Sequence, residues 1–359
     1  MKVVVAFRPF VFLTLSMQAL FDSLHAQSEL TPADAQIAVA WLADAAANPQ
    51  EKERFLEKLR VRGETGAELA AFAQALITLA REPGIDPSLL NGPMLDVCGT
   101  GGDRLELFNV STASMFVLAA GGAVVVKHGN RAITSQCGGA DVLEALGVRI
   151  ELSPADLRET VYRHGLGFIY APAYHPAFGV IGPVRRALAQ RGIPTIFNLL
   201  GPLLNPARPE HQLVGVYAPE LLSKYAGALL QLGRKRAWAV HGSGADELTP
   251  AGEGHGFAVE NGEIREFSVD PAALGLARSP IEALKGGDKT TNAQMLESIL
   301  NGDLLGPCLD AVLLNSAAGF VVAGLAADLA TGLELGREAV ACGGALAKLN
   351  ALREAGRRS

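Results

Sequence analysis

The chain has 359 residues, 49% of them hydrophobic and 19% charged, enough apolar matter for a large buried core and for two domains. A formal net charge of -6, a pI near 5.7 and no block of Lys and Arg exclude a general binder of phosphate backbones, so nucleic acid is not expected as a partner. Cys98, Cys137, Cys308 and Cys342 lie far apart with no CxxC pair and read as reduced, mostly packing thiols.

The first residues, MKVVVAFRPFVFLTLSMQALFDSLHAQS, loosely imitate a secretory signal, with a lysine, an apolar run and Leu24-His25-Ala26, but Arg8 and Pro9 interrupt the run. The reading favoured is a start at Met17 or a poorly ordered extension over residues 1–16. From Thr31 to Arg81 the pattern is helical and rich in alanine. Thr31-Pro32 starts a helix that ADAQIAVAWLADAAA carries to Asn48-Pro49. A second helix covers about Glu51 to Leu59, and a third begins at Thr65 with the capping-box spacing TGAE and ends before Pro83-Gly84.

Residues 83–93, PGIDPSLLNGP, punctuate the chain, and the rhythm then changes to strand, glycine loop and helix. Expected strands are MLDVC from Met94, AVVVK (Ala123 to Lys127), GFIYA (Gly167 to Ala171), TIFN (Thr195 to Asn198), QLVGVYA (Gln212 to Ala218) and RAWAVHG (Arg236 to Gly242). Helices are expected over Ser111 to Ala120, Ala140 to Leu146, Pro154 to His164 and Pro219 to Leu232, and FAVENGEIREFSV reads as a hairpin turning at Asn261-Gly262. Short apolar strands separated by helices predict an α/β fold with a mostly parallel central sheet flanked by helices. Beyond the N-terminal region nothing is long and apolar enough for a membrane span.

Ligands of such sheets gather at the carboxyl ends of the strands, where the unusual loops fall. The first loop, GTGGD (Gly99 to Asp103), leads through FNVST to an apolar helix. There Asn109, Ser111 and Thr112 stand at a helix N-terminus that can hold a phosphate, or in which Ser111 or Thr112 simply caps the helix. The second, KHGNRAITSQCGG, gathers Lys127, His128 and Arg131 with Asn130, Thr134 and Ser135 directly after a buried-looking strand. The third, VHGSGADELTP, carries Asp246 and Glu247, which can bind Mg²⁺ together with substrate phosphates or stay solvated. A fourth segment, YHPAFGVIGPVRRAL, offers Arg185 and Arg186, able to grip a carboxylate or to serve as surface charges.

In order and spacing, GTGGD, FNVST, KHGNRA, GGADVLEALG, PVRRAL, TIFNLLGPLLNPA and HGSGADEL resemble the anthranilate phosphoribosyltransferase family, from about Leu20 to near the C-terminus. The resemblance implies transfer of the phosphoribosyl group of phosphoribosyl pyrophosphate to the amino group of anthranilate, with release of pyrophosphate, in tryptophan biosynthesis. It implies a small helical domain (17–88, joined by helices from about 174–192) packed on a large α/β domain (89–359), with catalysis in the cleft between them. A cytoplasmic homodimer formed through the helical domain is expected. By family position the donor would be contacted by Gly99, Gly102, Asp103, Asn109, Val110, Ser111, Thr112 and the run Lys127, His128, Gly129, Asn130, Arg131, Ala132, Ile133, Thr134, Ser135, with Gly139. Ser111, Asp246 and Glu247 match metal-linked positions for Mg²⁺. Gly99, Asn130 and Arg185 match anthranilate-contacting ones, and Lys127, His128 and Arg185 are the expected catalytic residues.

This sequence departs from the family pattern at Arg104, where Gly is common, at Leu107, where Thr is common, and at Cys137 and Gly139, often Ser. The stretch between Arg185 and Thr195 is also longer than usual. A pyrimidine nucleoside phosphorylase and a non-catalytic nucleic-acid-binding relative are the competing readings.

Overall fold

The computed structural model describes residues 9–132 and 136–358. The expected contacts of Ile133, Thr134 and Ser135, and the sequence ahead of Pro9, lie outside them. The chain divides into two compact units. One takes the described residues up to Ala80 together with His175–Leu204, and the other takes Arg81–Tyr174 and the chain from Asn205 onward.

The first unit is helical: Pro9–His25, Pro32–Leu42, Pro49–Arg62, Gly66–Thr78, Ala177–Gln190 and Phe197–Leu200. Thr31, Asn48 and Thr65 cap their helices with side-chain oxygens, and Pro32 and Pro49 open theirs, where the missing N–H costs nothing. The TGAE box closes as expected: Glu68 N donates to Thr65 Oγ1 at 3.1 Å and Thr65 N donates to Glu68 Oε2 at 3.0 Å. Glu68 also accepts the Leu30 amide and pairs with Arg62, so this fully buried carboxylate is satisfied on every side. Phe55 anchors the core, edge-on to Phe21 and Trp41.

Two expectations fail here for local reasons. The helix from Pro32 ends at Leu42 rather than near Asn48, because Asp44 Oδ1 captures the Ala46 amide in a turn and Lys52 Nζ donates to the Asp44 carbonyl at 2.6 Å. TIFN is not a strand. Asn198 Oδ1 accepts the Thr195 amide at 2.9 Å, folding the segment into the short helix Phe197–Leu200, and Pro202 lies in the 3₁₀ turn that follows.

The second unit is built on a seven-stranded sheet: β1 Met94–Gly99, β2 Val124–Gly129, β3 Leu166–Tyr170, β4 His211–Gly215, β5 Arg236–Gly242, β6 Gly254–Glu260 and β7 Glu263–Val269. Their order is β3-β2-β1-β4-β5-β6-β7, with β1 to β5 parallel and β5-β6-β7 antiparallel. Strands β1, β2, β3 and β4 are buried almost throughout, as a sheet covered on both faces requires. The β6–β7 hairpin turns at Asn261 and Gly262, both at positive φ.

On one face Leu95, Val97, Val125 and Leu213 pack with Phe116 of the helix Val110–Ala120 and Leu314 and Phe320 of Pro307–Ala323. On the other, Met94, Val124, Val126 and Ile169 pack with Leu157 and Val161 of Pro154–His164. Each such aliphatic side chain contributes about 1.5–3 kcal/mol of burial. Among the described residues no helix is long and apolar enough to cross a membrane. Cys98, Cys137 and Cys308 are buried and Cys342 is exposed, all as thiols.

Candidate functional site

Strand order reverses at β1, whose sequence successor β2 lies on one side and β4 on the other, which puts the topological switch point where β1 and β4 end, at Gly99 and Gly215. The loop after β5 folds over this point. A Cβ at Gly99 would collide with Asp246 Oδ2, and one at Gly215 with the Asp246 carbonyl oxygen, so glycine at both strand ends is what admits the third loop. Gly101 N donates to Asp246 Oδ2 at 2.6 Å, and Ser111 N donates to Glu247 Oε1 at 3.1 Å. Asn315 steadies the next residue, accepting from Leu248 N at 3.1 Å and donating to its carbonyl at 2.7 Å.

Both carboxyls are pushed well above the usual carboxylate range. For Asp246 the main cause is burial, followed by the negative charge of Asp103; for Glu247 it is burial, then Asp246, with Lys127 opposing. Both side chains nevertheless keep partial solvent access. Two crowded, desolvated carboxylates facing a crevice gain by meeting a divalent cation. Among the described residues no set of three or more His, Cys, Asp or Glu forms a cage. Mg²⁺ is commonly held by one or two carboxylates, keeping waters and taking its remaining ligands from substrate phosphates.

Lys127 lies on β2, two residues before its end. Its Nζ donates to the Val97 carbonyl at 2.5 Å and to Ser111 Oγ at 3.1 Å, in a setting that leaves the residue 4% exposed. Below it lies Asp96 of β1, fully buried, whose Oδ1 accepts the His128 amide at 3.2 Å. Burial raises the Asp96 carboxyl, and the Lys127 ammonium, the Asn205 amide, the His128 amide and the Arg234 guanidinium counter it. Asn205, from the NLLGPLLNPA motif, donates to the Val126 carbonyl at 2.8 Å. Arg234 holds Gln212 at 2.9 Å and is lowered to about 10 by burial. The Lys127 ammonium and the Asp96 carboxyl thus interact directly inside the sheet, each offsetting part of the cost of burying the other.

The first loop turns through Gly101 and Gly102, both at positive φ, and continues through Arg104 at φ 60° and Glu106 at φ 54°. Arg104 thus places a side chain in the left-handed region that favours glycine. Asp103 Oδ1 accepts the Leu105 amide at 3.2 Å. Asn109 stands at the start of the helix Val110–Ala120 but does not cap it, and neither Ser111 nor Thr112 supplies a side-chain cap. The amides expected to be free there are taken. Val110 N donates to the Phe108 carbonyl, Thr112 N to the Asn109 carbonyl and Ser111 N to Glu247, so the acceptor at this helix end is a carboxyl group of the protein. The Val110 and Thr112 side chains are buried. Gly139 lies where a Cβ would come within 3.2 Å of Thr112 Oγ1.

In the second loop the expected cation Arg131 is committed elsewhere. It pairs with both oxygens of Glu144 and donates to Tyr170 Oη at 3.1 Å, because the helix Gly139–Ala145 presents Glu144 to it. His128 is buried, and Asn130 is exposed with Oδ1 accepting the Arg131 amide at 2.8 Å. A Cβ at Gly129 would come within 2.8 Å of the Phe168 ring. Asp141 gathers the loop ends, accepting the Ala132 and Gly138 amides at 2.9 Å each. Sequence reasoning missed Asp96, Asp141, Asn292 and Asn315. A polar residue inside an apolar strand or helix, which must find a partner once buried, was the available signal for Asp96 and Asn315.

In the helical unit Arg185 is half-buried between two rings, its guanidinium carbon 5.7 Å from the Phe178 centroid and 5.5 Å from that of Phe197. Burial lowers its pKa, whereas Arg186 is exposed.

This sheet, its glycine-ended strands and its carboxylate loop define a sugar-transferring enzyme, and the model of "Glycosyl transferase family, a/b domain" matches residues 91–346. Anthranilate phosphoribosyltransferases of Chloroflexus aggregans and Haloferax volcanii are each 43% identical to it, over 94% of this chain and 97% and 100% of theirs. The crystal structure of the Thermus thermophilus enzyme superposes with a TM-score of 0.87 at 40% identity, covering 94% of this chain and 99% of that one. The Saccharomyces cerevisiae enzyme in complex with PRPP and Mg gives 0.84 at 26% identity, covering 97% and 99%. The chain belongs to the anthranilate phosphoribosyltransferase family, pentosyltransferases of tryptophan biosynthesis.

Proposed function

We propose that the three loops at the ends of β1, β2 and β5 hold phosphoribosyl pyrophosphate with Mg²⁺, and that Arg185 grips the carboxylate of anthranilate. The observation that carries this reading is Lys127 hydrogen-bonded to Ser111, whose amide in turn holds Glu247. Asp246 and Glu247 would hold the metal, which when bound supplies positive charge to the departing pyrophosphate. With Glu247 serving as a metal ligand, the Ser111 amide that now donates to it would be free to serve the donor.

The amine of anthranilate is neutral at physiological pH, so its attack on the sugar carbon asks for no strong base. The demanding part is charge: the leaving group gains it and the sugar becomes cation-like. Lys127 meets that need from a fixed, desolvated position, and Gly99, Gly102, Asp103 and Asn109 shape the crevice around the donor. No covalent intermediate forms. Asn130 and His128 serve the acceptor side of the donor loop, and Arg131, held by Glu144, orients the loop. The working enzyme is a homodimer formed through the helical unit and acts in the cytoplasm.

The test is loss of anthranilate fluorescence in the presence of phosphoribosyl pyrophosphate, with and without Mg²⁺. Metal-dependent loss, abolished in the Asp246→Ala, Glu247→Ala double variant, is expected. Wild-type rates in that variant would overturn the metal assignment. Phosphorolysis of thymidine or uridine would favour a nucleoside phosphorylase.

A further inference from the structure

The segment Lys285 to Ala293, KGGDKTTNA, belongs to none of the motifs above, yet it is stitched to the first loop. Leu107 and Lys285 form an antiparallel bridge, Phe108 N donates to the Leu284 carbonyl at 3.0 Å, and Gly286 N donates to the Glu106 carbonyl at 2.9 Å. Asn292, 2% exposed on the helix Lys289–Leu300, completes the arrangement. Its Oδ1 accepts the Gly287 amide at 2.7 Å, and its Nδ2 donates to Asn109 Oδ1 at 3.1 Å. Asn109 Nδ2 then donates to the Cys137 carbonyl of the second loop at 3.1 Å. A Cβ at Gly286 would overlap Asn292 Oδ1 and come within 2.9 Å of Phe108 Cα, so the approach depends on glycine.

This chain of bonds has one direction. The Gly287 N–H fixes which end of the Asn292 amide is oxygen, which fixes the nitrogen toward Asn109, which makes Asn109 present its oxygen there and its nitrogen to Cys137. A primary amide has two N–H groups and two lone pairs, so Asn109 keeps one of each for a ligand, aimed by Asn292.

We propose that Asn292 is a positioning residue of the phosphoribosyl-donor site: through Asn109 it sets one polar contact with the donor and keeps the first and second loops in register. The proposal rests on those loops being the donor site. Asn292→Asp keeps the shape and the acceptor for Gly287 but replaces the donor facing Asn109 with an oxygen. It raises KM for phosphoribosyl pyrophosphate about tenfold, with KM for anthranilate within about twofold. Asn109→Ala raises the same KM, and the double variant falls well short of the sum of the two single effects, because most of the effect of Asn292 passes through Asn109.

Donor KM unchanged in Asn292→Asp while Tm falls, or single effects that add in the double variant, overturns the proposal. Asn109→Ala with unchanged donor KM overturns the donor-site reading itself, and is told apart because it needs no Asn292 variant. Should Asn292→Asp fail to fold, Asn292→Ser carries the same comparison.

Discussion

Lys127 Nζ lies 3.1 Å from Ser111 Oγ, and the amide of that same serine holds Glu247. One residue at a helix start thus ties the end of β2 to the loop after β5. Replacing Lys127 by Met removes the ammonium that, in the proposed function, offsets the phosphate charge of the donor. Turnover is expected to fall by about 10²–10⁴-fold, and stability to fall with it, because the buried Asp96 carboxyl and the Val97 carbonyl lose the ammonium beside them. Arginine should not rescue it, since the slot between Val97 and Ser111 is cut for a compact ammonium. Steady-state kinetics of Lys127→Met and Lys127→Arg check both statements.

Asp246 and Glu247 repel each other in a desolvated place, so neutralising them should help the metal-free protein. Asp246→Asn, Glu247→Gln is expected to raise Tm without metal and to abolish the rise that Mg²⁺ with phosphoribosyl pyrophosphate gives the wild type. The pH sign follows from their raised pKa values. Between the unfolded and folded values the native state binds more protons, so metal-free stability falls as pH rises through that window. Metal competes with those protons, so the ligand-induced rise in Tm should grow with pH. Thermal unfolding of both proteins across pH, with and without ligand, reads each effect.

Gly99→Ala places a methyl against the Asp246 carboxylate. The expected cost is about 1–3 kcal/mol of stability together with loss of metal-dependent activity, because the third loop must lift. Gly147→Ala, at a helix end where a Cβ meets nothing within 4 Å, should show only the cost of its positive φ and leave the metal dependence intact.

Arg104 sits at φ 60°, where a side chain costs about 1–2 kcal/mol and glycine does not. Arg104→Gly should therefore stabilise the protein by roughly 0.5–1 kcal/mol after the greater freedom of unfolded glycine is allowed for. Chemical denaturation checks it.

His175 is buried in the helical unit, 2% exposed, and burial depresses its pKa to about 4. A group that protonates more easily when unfolded contributes its full stability above about pH 6.5 and loses it as pH falls toward 4, a total of roughly 3 kcal/mol. His175→Gln should flatten the fall in stability between those pH values relative to wild type. An unchanged slope would place the acid sensitivity elsewhere.

Much of the fold was legible because its signals are local: the cap at Thr65 in the helical unit, and in the α/β unit apolar runs such as MLDVC and RAWAVHG and the Asn261-Gly262 turn. TIFN misled because Asn198 offers the backbone a turn that strand propensity does not register. The loops were legible as glycine-rich and charged, but not the partners of their charges. Arg131 looked available until Glu144, thirteen residues on, took it. The helix N-terminus looked open until Glu247, 136 residues on, filled it. Asp96 and Asn292 act through contacts that only the folded sheet and the packed helix create.

Whether the loops after β1, β2 and β5 form one metal-dependent site for phosphoribosyl pyrophosphate is tested most directly by calorimetry. The donor is titrated into the wild type and into the Asp246→Asn, Glu247→Gln variant, each with and without Mg²⁺. Binding strengthened by metal in the wild type and indifferent to metal in the variant is the predicted result. The same metal dependence in both proteins would contradict it.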